Sequence, residues 1–337
     1  VILITTKKGS DNESKATVRY SGRLGWEEPT TSTDYETTGY WSAFIHNMFW
    51  KADNANSKYL VTYTDYDMQQ LLLRVNDKTE HPDRPWTVIE NRNGKDTYMY
   101  YANTDWWHEL FVDQHPVQQH QISLSGGSKD VKYYLSGGFN KQTGIVKATP
   151  DIFTKYNLRS KIDFKINKWA KMSNNTSFYS STYDYPGVGD IENAIAYAAN
   201  HGLANFPLQN PDGSWIYSTP HITNNYKPAN GRHIVYGNGD NTNLERKSDF
   251  ANTTELTITP VKQFSIVGNF TYRLYQNRNT HRRTNLVYSD YPGQFGAYTT
   301  GAGDNYLYES IQTMNYLAAN VFATYDNTFK KNHNLKV

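Results

Sequence analysis

Connections between the strand-like segments of this chain alternate between long and very short, and that asymmetry constrains the fold more than any single motif. Period-two patterning marks the segments. In 17–26, Val18, Tyr20, Leu24 and Trp26 share one face and Thr17, Arg19, Ser21 and Arg23 the other. In 131–139 the apolar face is Val131, Tyr133, Leu135 and Phe139. In 156–166, Tyr156, Leu158, Ile162, Phe164 and Ile166 oppose Asn157, Arg159, Lys161, Asp163 and Lys165. In 264–274, Phe264, Ile266, Phe270, Tyr272 and Leu274 oppose Ser265, Asn269, Thr271 and Arg273, and weaker versions occupy 118–125, 170–181, 246–258 and 306–328. Such strands suit any half-buried antiparallel sheet. The connections narrow the choice. Tight turns are expected at "GGSKD" (126–130), "INKWAK" (166–171), "TPVKQ" (259–263) and "FKKNHN" (329–334), whereas 27–117, 141–153, 183–244 and 278–304 are long or moderate loops. Long loops therefore gather at one end of an up-and-down sheet and tight turns at the other. Outer-membrane barrels have this asymmetry, and a soluble sandwich or propeller has no physical reason to keep it.

Composition agrees. Aromatic residues make up 15% of the sequence, 28 of them Tyr, beside a mean hydropathy of −0.77. A polar polypeptide rich in amphipathic rings is not disordered; it fits a soluble all-β glycan-binding protein or a barrel with a wet lumen and aromatic girdles. A net charge of +2, with no dense Lys/Arg block, argues against a nucleic-acid partner. Zero Cys excludes disulfides and thiolate metal sites. No apolar run approaches the ~20 residues of a membrane helix. Within the long loops, 40–50 and 66–75 have helical spacing, and 190–200 starts at a capping Asp190 and stops before Gly202.

Several stretches taken together resemble the SusC family (SusC/RagA-like) of TonB-dependent outer-membrane transporters of the Bacteroidetes. "VILITTKKG" at 1–9 is similar to the end of the family's plug domain. "DWWHELF" (105–111), "QISLSGGSKDVKYYLSGGFNKQTGIVK" (121–147) and "KYNLRSKIDFKINKWAKMSNNTSF" (155–178) are similar to its early barrel. Beyond about residue 180 the likeness continues as strand rhythm only. The resemblance implies a plugged barrel of about 22 strands, of which 15–337 would supply the N-terminal eight to nine. It also implies import of oligosaccharides or peptides, a SusD-like surface lipoprotein as lid, and drive from a TonB complex through a segment not included in this sequence.

Import is binding and gating, with no bond made or broken, and no GxSxG, HExxH, P-loop or EF-hand pattern appears. No catalytic residue, cofactor or metal ligand is expected. His115 and His120 in "HPVQQH" read as loop histidines, and "GNGDNTN" (237–243) as a Gly/Asn turn. Sugars offer apolar C–H faces that stack on indole and phenol rings, so the loop aromatics Trp41, Trp50, Trp86, Trp215 and Tyr217 are the candidate substrate contacts. Each has an alternative as an anchor of its own loop or a contact for the lid. Trp106 and Trp107, inside the family element, read as structural anchors. A charge facing lipid at mid-membrane costs about 2–4 kcal/mol for Arg or Lys, so Arg159, Lys161, Asp163 and Lys165 should face the lumen, and Trp169 the periplasmic girdle. The alternative function is a soluble glycan-binding module without transport activity. In that case the apolar strand faces would be packed against a second sheet.

Overall fold

A computed structural model describes residues 16–53, 59–186, 191–223, 226–298, 305–329 and 333–337. The expected plug end at 1–9 and the cap Asp190 lie outside them. In sequence order the elements are β1 (Thr17–Glu27), α1 (Gly39–Asp53), α2 (Asp65–Leu73), β2 (Thr87–Arg92), β3 (Lys95–Tyr100), α3 (Trp106–Leu110), β4 (His115–Gly127), β5 (Val131–Thr143), β6 (Ile152–Lys165) and β7 (Ala170–Pro186). There follow α4 (Ile191–His201), α5 (Arg232–Asn238), β8 (Thr242–Val261), β9 (Phe264–Arg283), β10 (Leu286–Tyr291), β11 (Gln294–Tyr298), β12 (Tyr306–Phe329) and β13 (His333–Lys336).

Nine strands form one sheet in the order β1-β4-β5-β6-β7-β8-β9-β12-β13. Every pairing is antiparallel, and each strand follows its neighbour in the sequence apart from two inserted hairpins, β2-β3 and β10-β11. The up-and-down order expected from the connections is therefore present. Two strands run further than their alternation indicated, β8 and β9 at 20 residues each, whereas β12, at 24, matches its expected span of 306–328 within a residue. The outer ends of β8 and β9 lose the apolar/polar contrast but keep the ladder, because backbone pairing continues once a neighbouring strand is in place.

Register aligns the apolar sets into rows. Tyr20, Ile122, Gly137, Leu158, Phe178, Phe250 and Leu274 are successive cross-strand partners, as are Val131, Phe164, Met172, Leu256, Gly268 and Val321. Partners share a face, so one side of the sheet is a band of apolar rows. Among the described residues no helix or second sheet lies across it: Leu158 is 57% exposed, Phe270 50% and Ile122 53%. The other side is polar, with the row Ser123, Ser136, Arg159, Ser177, Ala251 and Arg273 beside Lys161, Asn175, Thr253 and Thr271. The apolar band is interrupted at Asn174, Thr176, Asn252 and Thr254. These four hydrogen-bond in a ring: Asn174 Nδ2 donates to Thr254 Oγ1, Thr254 to Asn252 Oδ1, Asn252 Nδ2 to Thr176 Oγ1 and Thr176 to Asn174 Oδ1. Mutual satisfaction is what lets polar groups sit on an apolar surface.

The buried core lies in the loops. Leu71, Tyr100, Trp107, Phe111, Phe206, Ile216, Ile234 and Leu286 come from all three long insertions and bury one another. The described residues of the insertions at 28–114, 187–241 and 284–305 thus form one packed cap beyond the long-loop end of the sheet.

Candidate functional site

Two surfaces could meet a solute: the loop cap and the polar sheet face. In the cap, short polar devices fix the frame. Thr64 caps α2, accepting from the Asp67 N–H at 3.3 Å while Asp67 Oδ2 accepts from the Thr64 N–H at 2.9 Å, a reciprocal capping box. Asp67 is buried and takes further bonds from Arg92 Nη2 at 2.6 Å and the Tyr101 hydroxyl at 2.8 Å. Burial alone would raise its pKa, but the bonds from Thr64, Tyr101 and Arg92 hold it below the usual carboxylate value.

Trp106 and Trp107 are both buried, as the anchor reading requires. Asp105 caps α3 through the His108 N–H. Trp106 Nε1 donates to the Leu203 carbonyl at 2.9 Å, and its ring meets His233 edge-on at 5.1 Å. Gly202 makes this approach possible, since a Cβ there would stand 2.9 Å from the Trp106 ring. His233 donates from Nε2 to the Ile216 carbonyl at 2.7 Å, and burial pushes its pKa down to about 4. The imidazole is therefore neutral and structural.

Of the five candidate contacts, the structure brings together Trp215 and Tyr217. Trp215 lies against Gly237, where a Cβ would fall 2.2 Å from the indole, and its carbonyl accepts from the Ser289 N–H at 3.0 Å. It stitches the 187–241 insertion to β10. Tyr217 packs on Tyr288 at 5.1 Å, with the Lys227 ammonium over its ring at 5.2 Å. Beside them, burial raises the Asp290 pKa against the pull of Lys227, Ser218 and Lys95, and Asp290 Oδ1 has no hydrogen-bond partner among the described residues. Lys95 in turn sits 3.1 Å over the Tyr291 ring. The result is a patch of tyrosine rings, two ammonium groups and a partly buried carboxylate. Rings can stack on the C–H faces of sugars or of amino acids, and the charged groups can hydrogen-bond polar substituents. Sequence reasoning missed Tyr288, Asp290, Lys95 and Lys227, because these residues are remote in the sequence and meet only through loop packing.

The other three candidates lie elsewhere. Trp41 is exposed on α1, edge-on to Tyr40 and Phe44 at 5.0 and 5.9 Å. Trp50 packs against the cap core from the opposite face of the same helix. Trp86 is half-buried beside β3, where its carbonyl accepts from the Tyr101 N–H at 2.6 Å.

On the polar sheet face, Arg159 bonds Asn175 at 3.3 Å, Ser173 bonds Asp163 at 2.5 Å and Arg273 grips Asp249 through two bonds of 2.8 and 2.5 Å. A hollow near the tight-turn end is lined by Lys132, Lys161, Asp163, Lys165, Lys171 and Glu255. A second hollow, over Gly137 on the opposite face, is walled by Ile122, Leu135, Leu158 and Phe178 and suits a lipid tail better than a sugar. No group of three or more potential metal ligands occurs among the described residues.

No protein-family model matches this sequence. Two curated relatives from Formosa agariphila are similar to it. TonB-dependent receptor P26 is 32% identical over 115 residues, 34% of this chain and 11% of the relative. TonB-dependent receptor P3 is 26% identical over 240 residues, 63% of this chain and 23% of the relative. The protein thus spans less than a quarter of either relative. Among solved structures, the RagAB peptide transporter superposes over 98% of this chain and 34% of the transporter's chain, with a TM-score of 0.53 at 19% identity. The RagAB peptide importer in the 'open-open' state gives 0.54 at 17% identity over the same shares. At these identities the structures establish a shared fold. Relatives and fold together support the likeness to SusC/RagA-like TonB-dependent transporters carried by the sequence motifs. These relatives are receptors and transporters, not enzymes.

Proposed function

We infer that this protein, which resembles the SusC/RagA-like TonB-dependent transporters, forms part of the wall and part of the outer cap of an outer-membrane importer of oligosaccharides or peptides. The observation that carries this is the single meander with one uncovered apolar face and all its long loops at one end. On β9 the apolar face runs from Phe264 to Leu274, ten steps along the strand. At ~3.4 Å per residue and a tilt of ~45°, that is about 24 Å of depth, against the ~25 Å apolar band of such barrels. The polar face then lines the lumen, where Arg159, Lys161, Asp163 and Lys165 meet a plug whose last segment corresponds to 1–9. Force from a TonB complex enters through that plug.

In this reading Trp215 and Tyr217, with Tyr288 and Asp290, form the part of the cap that meets cargo, and Trp86 and Trp50 support it. The exposed ring of Trp41 faces a SusD-like lipoprotein lid. The soluble glycan-binding alternative calls for a second sheet over the apolar face, and among the described residues the other sheets are two-stranded hairpins within the cap.

The test is performed in cells that produce the protein at its native full length. Expected are an outer-membrane, heat-modifiable band, cleavage within 187–241 by protease added to intact cells, and uptake of a labelled oligosaccharide or peptide that stops when TonB is removed. A soluble product that binds glycan without entering the membrane fraction would replace this reading with the alternative.

A further inference from the structure

Beyond the apolar band, on the same face, β8 and β9 set two arginines directly opposite each other. Arg246 and Arg278 are register partners, four residues toward the long loops from the facing pair Phe250 and Leu274. Cross-strand partners hold their Cβ atoms about 4.5–5.5 Å apart, where like charges destabilise the ladder. Only one of the two is ion-paired, although Arg246 also lies within electrostatic reach of Glu309. Glu309 of β12 accepts from Arg278 Nε at 3.1 Å and Nη2 at 2.6 Å, and also from Thr280. Arg246 has no ion pair among the described residues. Its row continues through Thr182 and Thr154 to a third cation, Lys141, and contains no carboxylate. Asp184 and Glu309 stand one row further out.

We propose that Arg246 and Arg278 hold the phosphate of an anionic membrane lipid whose acyl tails lie on the apolar rows below them. The assignment rests on the membrane reading above. Along β8 and β9, Ser248 and Gln276 separate the arginines from Phe250 and Leu274, and in this reading the guanidinium groups stand at headgroup level. A guanidinium presents paired N–H donors that match phosphate oxygens. A phosphate between the two arginines turns a repulsive pair into a bridge, and the hydroxyls of Thr182 and Thr154 offer further donors. The occupant is a lipid rather than a soluble anion because an apolar row lies beneath the site: Phe178, Phe250 and Leu274 are successive partners, and Phe250 meets Tyr272 of the next row at 6.3 Å between ring centroids.

The experiment is native mass spectrometry of the full-length, detergent-purified protein titrated with phosphatidylglycerol or with phosphatidylcholine. Wild type should retain phosphatidylglycerol preferentially, and the double variant Arg246→Gln/Arg278→Gln should weaken that retention by about tenfold. Glu309→Gln, which frees Arg278 from its competitor, should strengthen it, and Lys161→Gln on the opposite face should change nothing. Heat modifiability on gels checks that each variant is folded. Equal retention of both lipids, or retention indifferent to the double substitution, overturns the proposal. Glycerol phosphate binding as tightly as the lipid would make this a soluble-anion site and overturn the lipid assignment. Absence of wild type from the membrane fraction is a separate outcome: it removes the membrane reading itself and the proposal with it.

Discussion

The Tyr101 hydroxyl donates a 2.8 Å hydrogen bond to the Asp67 carboxylate, tying the residue after β3 to the first turn of α2, with both residues buried. Arg92 reaches the same oxygen at 2.6 Å from β2. One carboxylate thus joins three cap elements. Replacing Asp67 with Asn removes the charge that Arg92 and the capping box use. Opening a buried charge-assisted network costs about 2–3 kcal/mol. Hydrogen exchange should show 64–101 losing protection by about 30- to 150-fold, with the main sheet unchanged. Unaltered exchange in 64–101 would show that apolar packing alone holds the frame.

Acid should loosen the cap before it affects the sheet. His233 is buried and neutral, with its pKa held near 4 against an ordinary 6.5. Between those values the unfolded polypeptide binds a proton that the folded cap does not, so stability falls as pH drops from 6.5 toward 4. The loss is about 3 kcal/mol at the lower end. Asp67, held below its ordinary value, adds a loss of the same sign further into acid. Tryptophan fluorescence of the cap against denaturant at several pH values measures the effect. His233→Gln keeps a donor for the Ile216 carbonyl and should flatten the dependence above pH 4; a profile as steep as wild type would place the titration elsewhere.

Neighbouring residues on β6 face opposite ways, so their substitutions should diverge. Leu158→Arg puts a charge on the apolar face at a cost of about 2–4 kcal/mol at mid-membrane, and the amount of heat-modifiable protein in the outer membrane should fall severalfold. Asn157→Arg, one residue away on the polar face, should leave it near wild type. Equal tolerance of both would mean that the apolar face is not presented to lipid.

The division between what was and was not legible follows the range of the interactions. Strand order and facing could be read because alternation and turn length are local: Leu158 and Arg159 point apart by the pleat alone. α1, α2 and α4 announced themselves by spacing for the same reason. The ring of Asn174, Thr176, Asn252 and Thr254 could not be read, since each residue alone looks like a polar interruption and only register makes them partners. α5 and the β10-β11 hairpin were hidden for a related reason: their pattern is short, and contacts with Trp215 and Tyr217 hold them. The Tyr217–Tyr288 patch joins residues 71 positions apart, as their numbers show, and no local signal encodes that.

Trp41 and Trp50 are nine residues apart on one helix. At about 100° per residue that separation places them on opposite faces, and they should therefore fail differently. Trp50 packs against the cap core, so Trp50→Ala leaves a cavity and should destabilise the cap by about 3 kcal/mol, read as lost exchange protection in 39–53. Trp41 stands with Phe44 and Met48 in an exposed stripe at i, i+3 and i+7, a face that a folded monomer has no reason to keep apolar. Trp41→Ala/Phe44→Ala should leave cap stability within about 0.5 kcal/mol of wild type. If that stripe carries the lid, the same double variant should release the co-purifying surface lipoprotein from detergent-solubilised membranes. Co-purification that survives the double substitution would move the lid contact off α1, and a cap that unfolds with it would make Trp41 an anchor after all.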